Sequence, residues 1–350
     1  MLKYIVIIGC SIGWIFLFIP SIVYLFTAWN TRFEMLKAVF DENRLKLYFK
    51  QFYPSEKNLE PGEYSERFEN KYFKNYGKRR YIIPLILLGI ISGLGMLLVA
   101  YDLFCWLKIY NQLRPINPIA ISAFLGAYMW VAIDQLQRFR NRDFTYHDVY
   151  NCSLRFFIAI PLGVSFAALF KDTVGITTAF FLGAFPLQTL LKYGRRFVND
   201  KLKVNTPTDD DPSNELEQLQ SINKEEAERY RAEGITNILQ LAYSDPIDLT
   251  MRTNFDFNYV VDCISQSLLR LYIGKEKIDT LCPLSIRGAQ EVVVLFEYLH
   301  SNNLEKWIIA EGNFKEISAA LKISENSLNM TLLEVQADPY TKFINSIWCP

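Results

Sequence analysis

The chain has 350 residues, 51% of them hydrophobic and 15% aromatic, which is more apolar than an ordinary soluble protein and enough chain for two or three domains. Its formal net charge of zero hides a division: residues 1–204 carry 25 Lys+Arg against 14 Asp+Glu, and residues 205–350 carry 12 against 23. The basic part suits anionic lipid head groups, whereas the acidic part speaks against non-specific nucleic-acid binding, which needs surplus Lys and Arg on the contacting face.

Tyr4 to Ala28 is an apolar run of 25 residues, long enough to cross about 30 Å of hydrocarbon at about 1.5 Å per residue. Lys3 precedes it as it would a signal peptide. The run is longer than a typical signal core and ends in Thr27-Ala28-Trp29-Asn30 without an A-x-A site, so residues 1–29 are expected to be an uncleaved first span with Trp29 at the interface. Residues 30–80 are expected to form a cytoplasmic amphipathic helical loop. Between Phe33 and Phe52, apolar and aromatic residues including Leu36, Phe40, Leu45 and Tyr48 recur among charges at helical spacing. That face can lie on the membrane surface or pack against the tail. Pro54 and Pro61-Gly62 interrupt it, and Phe68, Tyr72 and Phe73 mark a second helix from Tyr64 to Tyr76.

Four more spans are expected within residues 81–191, at 81–107, 116–133, 152–170 and 174–191. The first of these contains Gly89 and Gly93, a small-xxx-small spacing that lets helix backbones approach. Asp102, Asp134, Arg155 and Asp172 fall near expected span ends, where snorkelling or head-group contact accommodates a charge. Pro161 and Pro186 lie inside the last two spans and remove backbone donors there. With the N-terminus outside, the inside segments 30–80, 134–151 and 192–203 hold 12, 3 and 5 Lys+Arg, against Lys3, Lys108, Arg114 and Lys171 outside. This asymmetry follows the positive-inside rule and makes Lys78, Arg79, Arg80, Lys192, Arg195 and Arg196 membrane-interface charges. Residues 192–214 then read as a basic stop followed by an acidic, proline-containing linker.

Residues 215–350 read as a cytoplasmic helical domain. Leu216, Leu219 and Ile222 are spaced three apart, and Arg231-Ala232-Glu233-Gly234-Ile235-Thr236-Asn237-Ile238 places a glycine turn between two short helices, with Thr236 positioned to cap the second. A related pattern, Leu281 to Val293, follows fifty-one residues later: Ile235 aligns with Ile286, Ile238 with Ala289 and Leu241 with Val292. The two stretches, Gly234, Ile235 and Thr236 in one and Ser285, Ile286, Arg287 and Gly288 in the other, resemble the helix-hairpin-helix family over about 60 residues in all. In nucleic-acid-binding members of that family, hairpin amides hold a phosphate with basic help, and the resemblance implies the same site here. This sequence departs from the family pattern: Asn237 stands near where a second glycine is expected, Ser285 replaces the first glycine of the second copy, and Arg287 is the basic residue at hand. Packing or protein contact is therefore the preferred use of the hairpins, and nucleic acid is disfavoured as a partner.

Ile317 to Leu332 has the apolar spacing of a helix-turn-helix unit, but Glu325 to Val335 carries no Lys or Arg. A small helical bundle is the preferred reading, since a reading helix approaches phosphates with basic help. A final apolar helix containing Tyr340, Phe343 and Ile347 is expected to dock back on that bundle.

Phosphate-loop, dinucleotide, zinc-protease and nucleophile-elbow motifs do not occur. The six cysteines form no CxxC pair, and only His147 and His300 could join them, so no metal or other cofactor is expected. The expected architecture is all-α: an integral membrane helical bundle with a cytoplasmic all-helical C-terminal domain, in a cell membrane that we take to be the bacterial inner membrane, with the N-terminus outside. The expected role is non-enzymatic, with the bilayer as one partner and recruitment of a cytoplasmic protein or self-association through the tail. A pore gated by the tail and a membrane tether for nucleic acid are the alternatives.

Overall fold

The computed structural model describes residues 2–56, 60, 62–109, 114–142, 144–167, 172–185 and 215–348. All regular structure among them is helical. The chain forms two compact units, the first from Met1–Glu34 and Lys71–Thr206, the second from Met35–Asn70 and Pro207–Pro350. The loop expected at 30–80 is thus divided, and its middle belongs to the same unit as the tail.

The first apolar run folds as α1 (Leu2–Phe16) and α2 (Ile19–Thr27), and α3 (Trp29–Val39) follows it. Pro20 sits in the first turn of α2, where its missing N–H would have had no helical acceptor. α4 (Glu42–Phe52) and α5 (Glu63–Tyr76) follow. The remaining helices of the first unit are α6 (Ile82–Trp106), α7 (Pro118–Arg140), α8 (Tyr146–Ala167) and α9 (Asp172–Ala184). Three helical stretches are long and apolar enough to cross a membrane, Leu2–Val39, Glu63–Trp106 and Pro118–Arg140, and Val174–Ala184 is a shorter apolar helix. Expected spans 152–170 and 174–191 run over positions 168–171 and 186–191, outside the described residues, as do Pro186, Lys192, Arg195, Arg196 and the linker to 214.

Polar contacts shift the expected boundaries. α7 continues seven residues beyond the expected end at 133, because Ser21 Oγ donates to Gln135 Oε1 at 3.1 Å and Arg138 bridges Asp134 (2.9 Å) and Asp148 (3.0 Å). α8 starts at Tyr146 instead of 152, since the Asp148 carboxylate accepts from both the N–H and the hydroxyl of Thr145, at 2.8 and 2.7 Å, and closes the first turn.

Arg155 corrects an expectation. It does not reach a head group; it is buried, stacked 5.4 Å from the Trp130 ring, and donates to Gly183 O and Leu182 O at the end of α9. The last carbonyls of a helix have no partners within it, and a guanidinium supplies both hydrogen bonds and charge of the favourable sign there. α7 and α9 meet at glycines: a Cβ on Gly126 would collide with Phe180 O, and one on Gly183 with Ala123 O.

The second unit combines α4 with helices from the tail: α10 (Lys224–Ala232), α11 (Ile238–Ala242), α12 (Pro246–Thr253), α13 (Phe257–Ile273) and α14 (Lys275–Leu281), then α15 (Ala289–Leu299), α16 (Leu304–Leu321), α17 (Glu325–Ala337) and α18 (Pro339–Ile347). α13 is buried without interruption from Val260 to Arg270, and α11, α12, α14, α15, α17 and α18 pack around it. α4 presents Leu45, Tyr48, Phe49 and Phe52 on one side. Phe52 meets Tyr340 and Phe343 of α18 at ring separations of 6.2 and 5.6 Å, and the Tyr48 hydroxyl donates to Asp245 at 2.8 Å. Just after α3, Phe40 lies 5.0 Å edge-on to Phe257.

Asp245 also caps α12, accepting from the Ile247 and Asp248 amides at 2.9 and 3.1 Å. Burial pushes its carboxyl up to about 6, against the lowering effect of these hydrogen bonds and that of Tyr48. A folded-state value above the ordinary carboxylate value means that the native state binds the proton more tightly. The stabilisation is therefore full below the unfolded value and is lost as pH rises through about 6. Unfolding followed between about pH 4 and 7 should show this decline, and Asp245→Asn should flatten it. Phe49 is fully buried, and Phe49→Ala is expected to cost about 3–5 kcal/mol in a denaturant titration of the whole chain.

Candidate functional site

The two hairpin stretches fold alike. Gly234 follows α10 with φ +87°, and Ser285 follows α14 and a short 3-10 turn with φ +63°. The Ile235 amide then bonds back to Tyr230 O at 3.0 Å, and the Ile286 amide to Leu281 O at 3.3 Å. Each is a helix ended by a left-handed residue with a long return bond, and the N-cap of the next helix lies three residues after that left-handed residue. Glycine is favoured at such a φ; Ser285 holds it at a conformational cost.

The cap of α11 is Asn237, whose side chain accepts from the Gln240 amide at 2.8 Å, and not Thr236 as expected. The Thr236 amide and hydroxyl instead donate to Gln240 Oε1 at 2.7 and 3.0 Å. Gly288 caps α15, its amide donating to Glu291 Oε2 at 3.0 Å, and a Cβ there would lie 2.5 Å from Ser265 Oγ.

Arg287 is committed within the fold. Its Nη2 bonds Asp262 Oδ1 at 2.8 Å, and Nε lies 3.8 Å from Glu291. Gln266 completes the group by donating to Asp262 Oδ2 at 2.8 Å. A cleft of about 370 Å³ beside this turn is lined by residues including Gln218, Gln266, Ile278, Cys282 and Arg287. Two of its amides are engaged already, Gln218 with Arg270 and Gln266 with Asp262. No group of three or more His, Cys, Asp and Glu among the described residues could hold a metal ion.

The other expected sites serve packing within the first unit. Gly89 and Gly93 receive α1 and its end: Phe18 lies 3.5 Å from the position of a Cβ on Gly89, and Trp14 3.3 Å from one on Gly93. Trp14 Nε1 also donates to Gly89 O at 3.2 Å. Lys78, Arg79 and Arg80 form a 3-10 turn before α6; Lys78 Nζ sits 5.2 Å from the Trp29 ring, and Arg80 Nε donates to Lys74 O at 3.0 Å.

α16 carries a surface that sequence patterning did not single out. Leu304, Trp307, Ile308 and Ile309 are all exposed near its start, while Ala310 and Ile317 face inward. Their apolar spacing reads as an ordinary core helix, so nothing in the pattern separates the covered side from the open one.

Comparison with family models, curated proteins and solved structures finds no match to this chain.

The turns give opposite mutational expectations. Gly234→Ala should destabilise by about 1 kcal/mol and Ser285→Gly should stabilise by up to about 1 kcal/mol, both read from denaturant midpoints of the whole chain.

Proposed function

We propose that this chain is a non-enzymatic multi-pass membrane protein, in a cell membrane that we take to be the bacterial inner membrane, whose second unit faces the cytoplasm and recruits a protein partner or a second copy. The exposed apolar side of α16 carries this reading. Large contiguous apolar surface is costly in water, and its retention marks an interaction site. The three membrane-length helices and exposed side chains such as Ile5, Ile8, Ile83 and Leu97 in the first unit support the anchoring role.

The second unit adds a topological argument. Residues 35–70 and 207–350 share one core, so both lie on one side of any membrane the chain crosses. Residues 71–206 must then cross an even number of times. The four spans proposed there satisfy this condition, and the distribution of Lys and Arg supports a cytoplasmic reading of that side.

The nucleic-acid alternative depends on Arg287, which is already paired with Asp262. The pore alternative needs charges that face a path, whereas Arg138 binds Asp134 and Asp148, and Arg155 binds the end of α9. We therefore retain recruitment.

Single cysteines at Leu47, Leu239 and Lys108, in a chain otherwise lacking cysteine, test the topology with an impermeant maleimide on sealed vesicles. The first two should react from the cytoplasmic face and the third from the other; labelling of Leu47 and Leu239 positions from opposite faces overturns it. A photo-crosslinking residue at Ile308 should yield an adduct with another protein or a second copy in cells. Recovery of only the uncrosslinked chain overturns recruitment through α16.

A further inference from the structure

At about 100° per residue, Leu304, Ile308, Gly312, Lys315 and Ala319 fall along one side of α16, with Glu305, Ile309 and Glu316 on the adjoining strip. Leu304 is 69% exposed, Ile308 55% and Ile309 56%, whereas Ala310 and Ile317 on the other side are buried. Large apolar side chains thus lie on both sides of α16, and among the described residues only one of those sides is covered. A Cβ on Gly312 would meet nothing within 4 Å, so another helix backbone has room to approach at the middle of the stripe.

Charge selects what covers it. Lys306 is drawn over the Tyr298 ring at 4.9 Å, and Lys315 is paired with Glu311 at 2.8 Å. Glu305 and Glu316 remain as exposed carboxylates flanking the apolar residues. A second copy related by a two-fold axis through Gly312 would set Glu316 against Ile308 of the other copy. With the axis shifted to pass between positions 310 and 311, Glu305 would face Glu316. The first arrangement desolvates a carboxylate against an apolar side chain, and the second opposes like charges. A bilayer would draw the same carboxylates toward hydrocarbon along with Ile309, and the excess of 23 Asp+Glu over 12 Lys+Arg in residues 205–350 is repelled by anionic head groups. A protein helix with an apolar seam bordered by Lys or Arg meets both requirements, because the seam fills the stripe and the border pairs with the two glutamates.

We propose that the outer side of α16 is a docking groove for an amphipathic helix of a partner protein, with its apolar seam on Leu304, Ile308 and Gly312 and its basic edge on Glu305 and Glu316. This inference rests on the recruitment reading and narrows it.

The test uses the full chain in zwitterionic nanodiscs and two fluorescent synthetic helices that share a leucine seam, one with a Lys/Arg edge and one with a Glu edge. Anisotropy at about 0.15 M salt should show the basic peptide binding at least about tenfold tighter than the acidic one. Ile308→Asp should weaken binding about tenfold or more, and Glu305→Lys with Glu316→Lys should reverse the preference. Glu225→Lys with Glu228→Lys, on α10, should leave binding unchanged. Circular dichroism melts of each variant confirm that these surface changes leave the fold intact.

Failure of the basic peptide to bind, equal binding of the two peptides, indifference to Ile308→Asp, or an equal loss with the α10 pair overturns the proposal. So does a blue shift of a dye at position 308 on vesicles containing anionic lipid. A dimer in sedimentation that Ile308→Asp abolishes also overturns it, while leaving the broader recruitment reading in place.

Discussion

The aromatic face of α4 against α18 and the cap of α12 is the contact on which the second unit depends. Leu45, Tyr48 and Phe49 are almost wholly buried, and the hydrogen bond from Tyr48 to Asp245 joins the N-terminal loop to a helix cap in the tail. Removing α4 would uncover Phe343 and Tyr340, and it would leave the Asp245 carboxylate short of a donor. A tail fragment beginning after the linker is consequently an incomplete domain. The loop between the two segments, residues 71–206, must be closed before this core can form. Loop closure costs entropy that rises slowly with length, and the contacts it permits are non-local, which slows folding. Insertion of the intervening helices in a bilayer would lower that cost by restricting the chain beforehand.

Around that contact, α13 is organised as a buried helix that carries polar groups inward. Asp262 takes Arg287 and Gln266, Ser265 accepts from the Gln290 amide at 3.1 Å, and Arg270 holds Gln218. Buried polar groups are costly unless paired, so each pair fixes one neighbouring segment in one position relative to α13. Gly288 belongs to this scheme, because Ser265 occupies the place of its missing side chain. The second hairpin turn is thereby locked to the core, and its basic residue serves the core's charge balance before it can serve a ligand.

Much of this was legible in the sequence, and the exceptions have physical causes. α6 was readable to within a residue at either end because a long apolar run needs no partner to be recognised. The turns at Gly234 and Ser285 were readable because their offset aligns apolar positions that prove buried, Leu241 with Val292. What escaped depends on partners distant in the chain. The apolar face of α4 was visible, but nothing local says whether lipid or another helix covers it. Arg155 was put down to snorkelling or head-group contact from its distance to the end of the run, since the open carbonyls of Leu182 and Gly183 leave no trace in residue type. Thr236 and Asn237 are both capping residues, and the choice was decided by Gln240, which engages Thr236 and leaves the cap to its neighbour.

The charge division gives these features a common sense. An apolar helix face in water invites association with other copies and with lipid. Net charge far from zero opposes both self-association and approach to an anionic surface, and residues 205–350 are acidic by 23 to 12. On the proposed reading, the outer side of α16 would stay uncovered at the high local concentration that membrane anchoring would impose. The field that keeps like domains apart would draw in the proposed basic partner from a Debye length of about 8 Å at physiological salt, and the apolar contact would then hold it. For the proposed partner, electrostatics would decide which helix arrives, while Leu304, Trp307 and Ile308 would decide how long it stays.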